Sequence, residues 1–169
     1  ETAIMRNQKG FTLIELIIVI VVLGILAVTA APQFIDFSSD ARQSALKGAR
    51  GSINGAIDTV YGRAQIDGVA TGEDTVNVNG VSVDIYNGYP KSSELATVAG
   101  LSSDEWAIVN TAGTYSGTLA DGVSVITFSS LVGTSPSATD ITGTNCYVEY
   151  NDKASADTRP TITVYDTGC

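Results

Sequence analysis

Hydrophobic and polar residues alternate along this chain in three different rhythms. Residues 16–35, LIIVIVVLGILAVTAAPQFI, contain no charged side chain. That length matches the ~20 apolar residues a helix needs to cross ~30 Å of hydrocarbon. Past Asp36 the rhythm becomes helical, with Phe37, Ala41, Ala45, Ala49, Ile53, Ile57 and Val60 recurring every three or four residues and Leu46, Ala56 and Ala64 widening the stripe. Asp40, Arg42, Lys47, Arg50, Asp58 and Arg63 fall on the other face. One helix from Phe11 to about Arg63, roughly 80 Å long at 1.5 Å per residue, accounts for both stretches. Glycines at 48, 51, 55 and 62 weaken it intrinsically, so its second half needs a sheet to pack against. Pro32 lacks an amide hydrogen and predicts a kink there, with Gly24 a second weak point.

Beyond residue 64 the period falls to two. Val76 and Val78, then Asn79-Gly80, then Val81, Val83 and Ile85 read as a hairpin about its most favourable two-residue turn. Further strands are expected at 123–128, 146–150 and 161–165. Ser102 and Glu105 form a capping-box pattern that predicts a short helix carrying Trp106, Ala107 and Val109, with Trp106 as a core anchor. The Ser/Thr/Gly-rich stretch 129–145 reads as loop. The expected fold class is α+β, a small antiparallel sheet lying across the second half of one long helix. The expected boundaries are an apolar helix at 11–35, an amphipathic helix at 36–63 and a globular head at 64–169. There is no internal repeat and no glycine-rich phosphate loop.

Charge narrows the function. The net charge of -9 is concentrated distally, since residues 64–169 carry three Lys/Arg against thirteen Asp/Glu. Such a surface repels phosphates and argues against nucleic acid as a partner. The chain has no histidine, which removes His-based triads and most zinc sites. Paired carboxylates, Asp104 with Glu105 or Glu73 with Asp74, are the remaining catalytic candidates, and both are readily explained as helix-start or loop residues. Asn151, Asp152 and Asp157 offer hard oxygen ligands without the spacing of a calcium loop. No metal or other cofactor is expected, nor is enzymatic activity.

Arg6 and Lys9 precede the apolar run, so the positive-inside tendency keeps the first residues in the cytoplasm and exports everything after Asp36. Met5 reads as the natural start. In an exported protein the two cysteines, Cys146 and Cys169, are most simply a disulfide, closing a loop worth about 3.5 kcal/mol by chain entropy. A signal peptide would end in a small-residue cleavage site, of which Ala30-Ala31-Pro32 is a poor imitation. Glu15 is unexplained by a plain anchor, because a carboxylate at membrane depth costs a few kcal/mol unless something pairs with it.

The short basic leader, Gly10, the following Phe11-Thr12-Leu13-Ile14-Glu15, the charge-free stretch and Pro32 occur in an order that resembles the type IV pilin family. Within that family, "GILAVTAAPQFIDFSSDAR" and the "TNCYVEY" before a final cysteine are most like the major pilins of mannose-sensitive haemagglutinin (MSHA) pili. The resemblance implies a prepilin leader at 1–10 cut after Gly10 by a prepilin peptidase, and methylation of the new Phe11 amine. It also implies an assembly role in which Glu15 of an incoming subunit meets the Phe11 amine of one already in place. Implied partners are identical subunits, the inner-membrane assembly machinery and a surface glycan. The precursor would sit in the inner membrane with its C-terminus periplasmic, and the assembled subunit in an extracellular pilus serving attachment. Two alternatives stand beside this reading: a pseudopilin of a type II secretion system, and a membrane-tethered glycan-binding module that would need neither Gly10 nor Glu15.

Overall fold

In the computed structural model, residues 10–110, 122–152 and 159–169 are described, except for the side chains of 31–36. The chain divides into two compact units, Glu1–Ser39 and Asp40–Cys169. A single helix, α1 (Leu13–Asp67), contributes to both, and its helical assignment continues through Gly24 and Pro32. In the first unit α1 is apolar and its side chains from Leu13 to Ala30 are all exposed.

The second unit holds everything else. After α1 come β1 (Glu73–Val78), β2 (Val81–Tyr86), β3 (Tyr89–Pro90), a 3-10 turn (Ser92–Glu94) and α2 (Leu95–Ala99). Then follow β4 (Trp106–Asn110), β5 (Val123–Phe128), α3 (Ser129–Val132), α4 (Ala138–Gly143), β6 (Tyr147–Asn151) and β7 (Thr161–Tyr165). The α+β expectation holds, with a long apolar helix followed by antiparallel strands. Among the described residues the strands form two sheets where one was expected, ordered β1-β2-β3 and β4-β5-β6-β7. Asn79 and Gly80 both take positive φ (52° and 86°), the two-residue turn that matches strand twist, and set the register Val78 opposite Val81. Asn87 and Gly88 repeat the device (φ 50° and 81°) between Tyr86 and Tyr89. The first sheet then ends, because β3 is only two residues long and its last residue, Pro90, has no N–H to donate.

α1 serves both sheets in succession. Leu46, Ile53 and Ile57 are fully buried against Ile126, Val148 and Tyr150 of the four-stranded sheet and Leu95 of α2. One to two turns on, Val60 and Ala64 are buried against Val76, Val83 and Ile85 of the three-stranded sheet. The buried stripe is therefore Leu46, Ala49, Ile53, Ile57, Val60 and Ala64, and the expected members Phe37, Ala41 and Ala45 are exposed. α1 ends four residues later than expected. There Gly68 takes φ 75°, Val69 N–H donates to the Ala64 carbonyl (3.0 Å) and Gly68 N–H to the Gln65 carbonyl (3.3 Å), a Schellman stop.

Ser102–Glu105 does not start a helix. The Glu105 and Trp106 amides both donate to the Ser102 carbonyl (3.2 and 2.9 Å), closing a turn, and residues 106–110 become β4, paired with β5 from Trp106 opposite Phe128 to Asn110 opposite Ser124. Residues with aromatic and β-branched side chains gain more from that cross-strand pairing than from one isolated helical turn. Trp106 stacks on Phe128 with ring centroids 4.8 Å apart and packs against the main core. A reciprocal capping box occurs instead at Ser137 and Asp140, where it opens α4 inside the stretch expected to be loop. α4 then covers the far face of the second sheet, burying Ile141 with Val125 and Tyr147.

The two sheets are sutured through the backbone of residues 90–92. The Tyr150 hydroxyl donates to the Pro90 carbonyl at 2.6 Å, the Ser124 hydroxyl to the Ser92 carbonyl at 2.9 Å, and the Ser92 amide to the Asp152 carboxylate. Each side chain comes from the second sheet or its end, and each satisfies a backbone group beside the first.

Candidate functional site

Gly10 and Phe11 precede α1 and are exposed, Phe11 to 89%. Thr12 is the N-cap. Its backbone N–H and its hydroxyl both donate to Glu15 Oε2, at 2.9 and 2.7 Å, while the Glu15 N–H donates back to Thr12 Oγ1 at 3.4 Å. This is a capping box with the carboxylate beside the positive end of the helix. Within a single chain, then, Glu15 is engaged by the first turn of its own helix. Thr12 was not among the site residues expected from sequence. The T-x-x-E spacing that reveals it is the pattern that was read, wrongly, as a helix start at Ser102.

Behind this box the helix offers Leu13–Ala30, long and apolar enough to cross a membrane and with none of its residues buried inside the chain. Thr29 is the one hydroxyl in that window, and it donates to the Leu26 carbonyl at 3.0 Å. A hydroxyl satisfied this way places no unpaired donor in hydrocarbon. Gly24 lies within the window with open space where a Cβ would project.

The other expected pair is at the opposite end of the sequence. Cys146 is fully buried in the main core and is joined to Cys169. β7, inside the loop so closed, is also clasped to α1 at both ends. Arg159 pairs with Asp58 (2.9 Å) and donates to Asn54 Oδ1 (3.0 Å), and Asp166 pairs with Lys47 (3.5 Å). These exposed ion pairs each contribute little energy and mainly fix alignment.

The carboxylate pairs considered for catalysis are not gathered into a site. Glu73 pairs with Lys91 (3.5 Å), Asp74 accepts the Thr75 amide (2.8 Å), and Asp104 and Glu105 lie exposed in the turn before β4. Among the described residues no group of three acidic or cysteine side chains is placed to hold a metal. Asp152 is buried and holds the Ser92 amide, and Asp157 lies outside the described residues.

Residues 5–31 match the prokaryotic N-terminal methylation motif. Over 109 residues the chain is 35% identical to the fimbrial protein EcpB of Eikenella corrodens, covering 63% of this chain and 69% of that one. The chain belongs to the type IV pilin family. This pilin is also 41% identical over 66 residues to the type IV major fimbrial protein FimA of Dichelobacter nodosus, covering 39% of this chain and 40% of FimA. A third relative is the type IV narrow pilus major component PilA5 of Thermus thermophilus, 46% identical over 50 residues that make up 30% of this chain and 43% of PilA5. No solved structure matches significantly. The relatives are structural pilins and not enzymes.

Proposed function

We propose that this pilin is the major subunit of a type IV pilus used for surface attachment, of the mannose-sensitive haemagglutinin type. It is made as an inner-membrane precursor, cut after Gly10 by a prepilin peptidase, methylated on the Phe11 amine, and polymerised with copies of itself through α1. The observation that carries this reading is the Leu13–Ala30 surface, apolar apart from Glu15 and Thr29 and uncovered within the chain. Once withdrawn from a bilayer, such a surface needs a partner, and other copies of the same helix are always at hand. Burying about a thousand Å2 of it favours association by roughly 25 kcal/mol before entropic costs. Glu15 supplies register: in the capping box Thr12 occupies Oε2, and Oε1 has no hydrogen-bond partner among the described residues, so a neighbour's Phe11 amine has an oxygen to approach. Gly24 and Pro32 are proposed as points where the assembled helix yields under tension.

The test is intact-mass and N-terminal peptide mass spectrometry on material sheared from the cell surface, alongside the same analysis of an Glu15→Ala variant. A chain that starts at a methylated Phe11 in the sheared fraction, and a variant retained in the membrane, is the expected result. A chain that still carries the residues before Phe11 and stays in the membrane fraction overturns the reading.

A further inference from the structure

Asn-Gly occurs three times in this chain, at Asn54-Gly55, Asn79-Gly80 and Asn87-Gly88. In this dipeptide the glycine has no Cβ to keep its backbone nitrogen from the preceding side-chain amide, so the pair is open to self-attack wherever the fold does not prevent it. The fold prevents it at two of the three. Asn54 lies inside α1, its Nδ2 donating to the Arg50 carbonyl (3.0 Å) and its Oδ1 accepting from Arg159 (3.0 Å). Asn87 is buried, with Oδ1 accepting the Gly72 amide (2.9 Å) and its own amide donating to the Gly72 carbonyl (2.8 Å). Gly88 is pressed under Tyr61, whose ring would lie 2.9 Å from a Cβ there.

Asn79 has none of this protection. It is exposed at the tip of the β1–β2 hairpin, its side chain makes no hydrogen bond among the described residues, and the space around Gly80 is open. One restraint remains, the Gly80 amide donating to Asn77 Oδ1 at 2.9 Å, so reaction proceeds from turns in which that bond has opened.

We propose that Asn79 is a self-modification site, converting to aspartate and isoaspartate as the folded protein ages. The Gly80 nitrogen bonds to Asn79 Cγ, the Cγ–Nδ2 bond breaks, and the Gly80 proton leaves with the amine as ammonia. Water then opens the resulting five-membered imide at either carbonyl. The site has a consequence because Asn79 lines a groove of about 430 Å3 bounded by α1, the hairpin and α2, whose other lining residues, among them Ser52, Val60, Val81 and Val98, are all uncharged. Conversion puts the only carboxylate on that lining. The isoaspartate product also lengthens the backbone of a two-residue turn by one carbon, against the register Val78 opposite Val81.

The full chain, purified in detergent, is incubated at mildly alkaline pH and its peptides are mapped by mass over several weeks. The expected result is conversion at Asn79 several-fold faster than at Asn54 or Asn87, its loss in Asn79→Gln, and a several-fold acceleration in Asn77→Ala. Equal rates at all three pairs, or conversion led by Asn54 or Asn87, overturns the proposal. An Asn77→Ala variant no faster than the parent overturns the restraint assigned to Asn77.

Discussion

The hydroxyl of Tyr150 reaches across from the four-stranded sheet to the carbonyl of Pro90 in the three-stranded one, 2.6 Å away. Tyr150 is fully buried, and the two sheets share no strand, so side chains must join them. Tyr150→Phe keeps the ring and removes the donor. The expected cost is about 1–3 kcal/mol, the usual penalty for a buried carbonyl left unpaired, read as a lower urea midpoint.

The same tyrosine predicts an alkaline limit to stability. Burial, reinforced by the charge of Asp152, pushes its phenol well above the ordinary tyrosine range. Tyr150 therefore contributes fully below about pH 10, where the unfolded chain begins to ionise, and its contribution falls as pH rises from there. Burial also raises Tyr89 and Tyr147, so Tyr150→Phe should shallow the alkaline slope without abolishing it. Urea melts of both proteins across that range measure the difference.

Reducing the Cys146–Cys169 bond, or replacing both cysteines with serine, should lower stability by about 3.5 kcal/mol. The loss should appear in the Asp40–Cys169 unit, monitored by the fluorescence of Trp106, with the helicity of Leu13–Ala30 in detergent unchanged.

Asp140 gives an acid-side counterpart. Hydrogen bonds from the Ser137 hydroxyl and amide hold its carboxyl below the ordinary aspartate value. A lowered folded pKa contributes stability above the unfolded pKa, and that contribution is lost as pH falls through the folded value. Ser137→Ala removes the hydroxyl, so the Asp140 carboxyl should titrate at higher pH, visible by NMR, and α4 should fray first in hydrogen exchange.

Gly122 has no tolerance for a side chain. Its φ is +81°, and a Cβ there would overlap Asp152 Oδ1. Gly122→Ala should cost roughly 2 kcal/mol or more from strain and displacement of Asp152 together, well beyond Gly143→Ala, where a Cβ meets open space.

How far the sequence could be read depended on how local the deciding interaction is. The long apolar N-terminal helix, the Asn79-Gly80 hairpin, and β5 and β7 were all legible, because each is written in a run of neighbouring residues. β4 was misread because Ser102 and Glu105 do spell a capping box, and only pairing with distant residues of β5, from Trp106 opposite Phe128 to Asn110 opposite Ser124, turns 106–110 into a strand. The division into two sheets was invisible for a similar reason, since it rests on Pro90 ending β3 and on Tyr150 and Ser124 reaching back from far along the chain. At the candidate site, Glu15 stood out by its charge in an apolar run. Thr12 did not, because a threonine beside a membrane helix is unremarkable until its hydrogen bonds are seen.

The sulfur bridge also decides which residues a pull can reach. A load arriving at Cys169 passes directly into Cys146 at the head of β6, so the chain between them is off the force path. With a separation of 23 residues, roughly 75 Å of contour length is kept from paying out. Tension in a fibre built of such subunits would pass through the packed junction of α1 and the central strands, and β7, although its Ile162 and Val164 pack on the core and its Tyr165 stacks on Tyr147, would lie off that path.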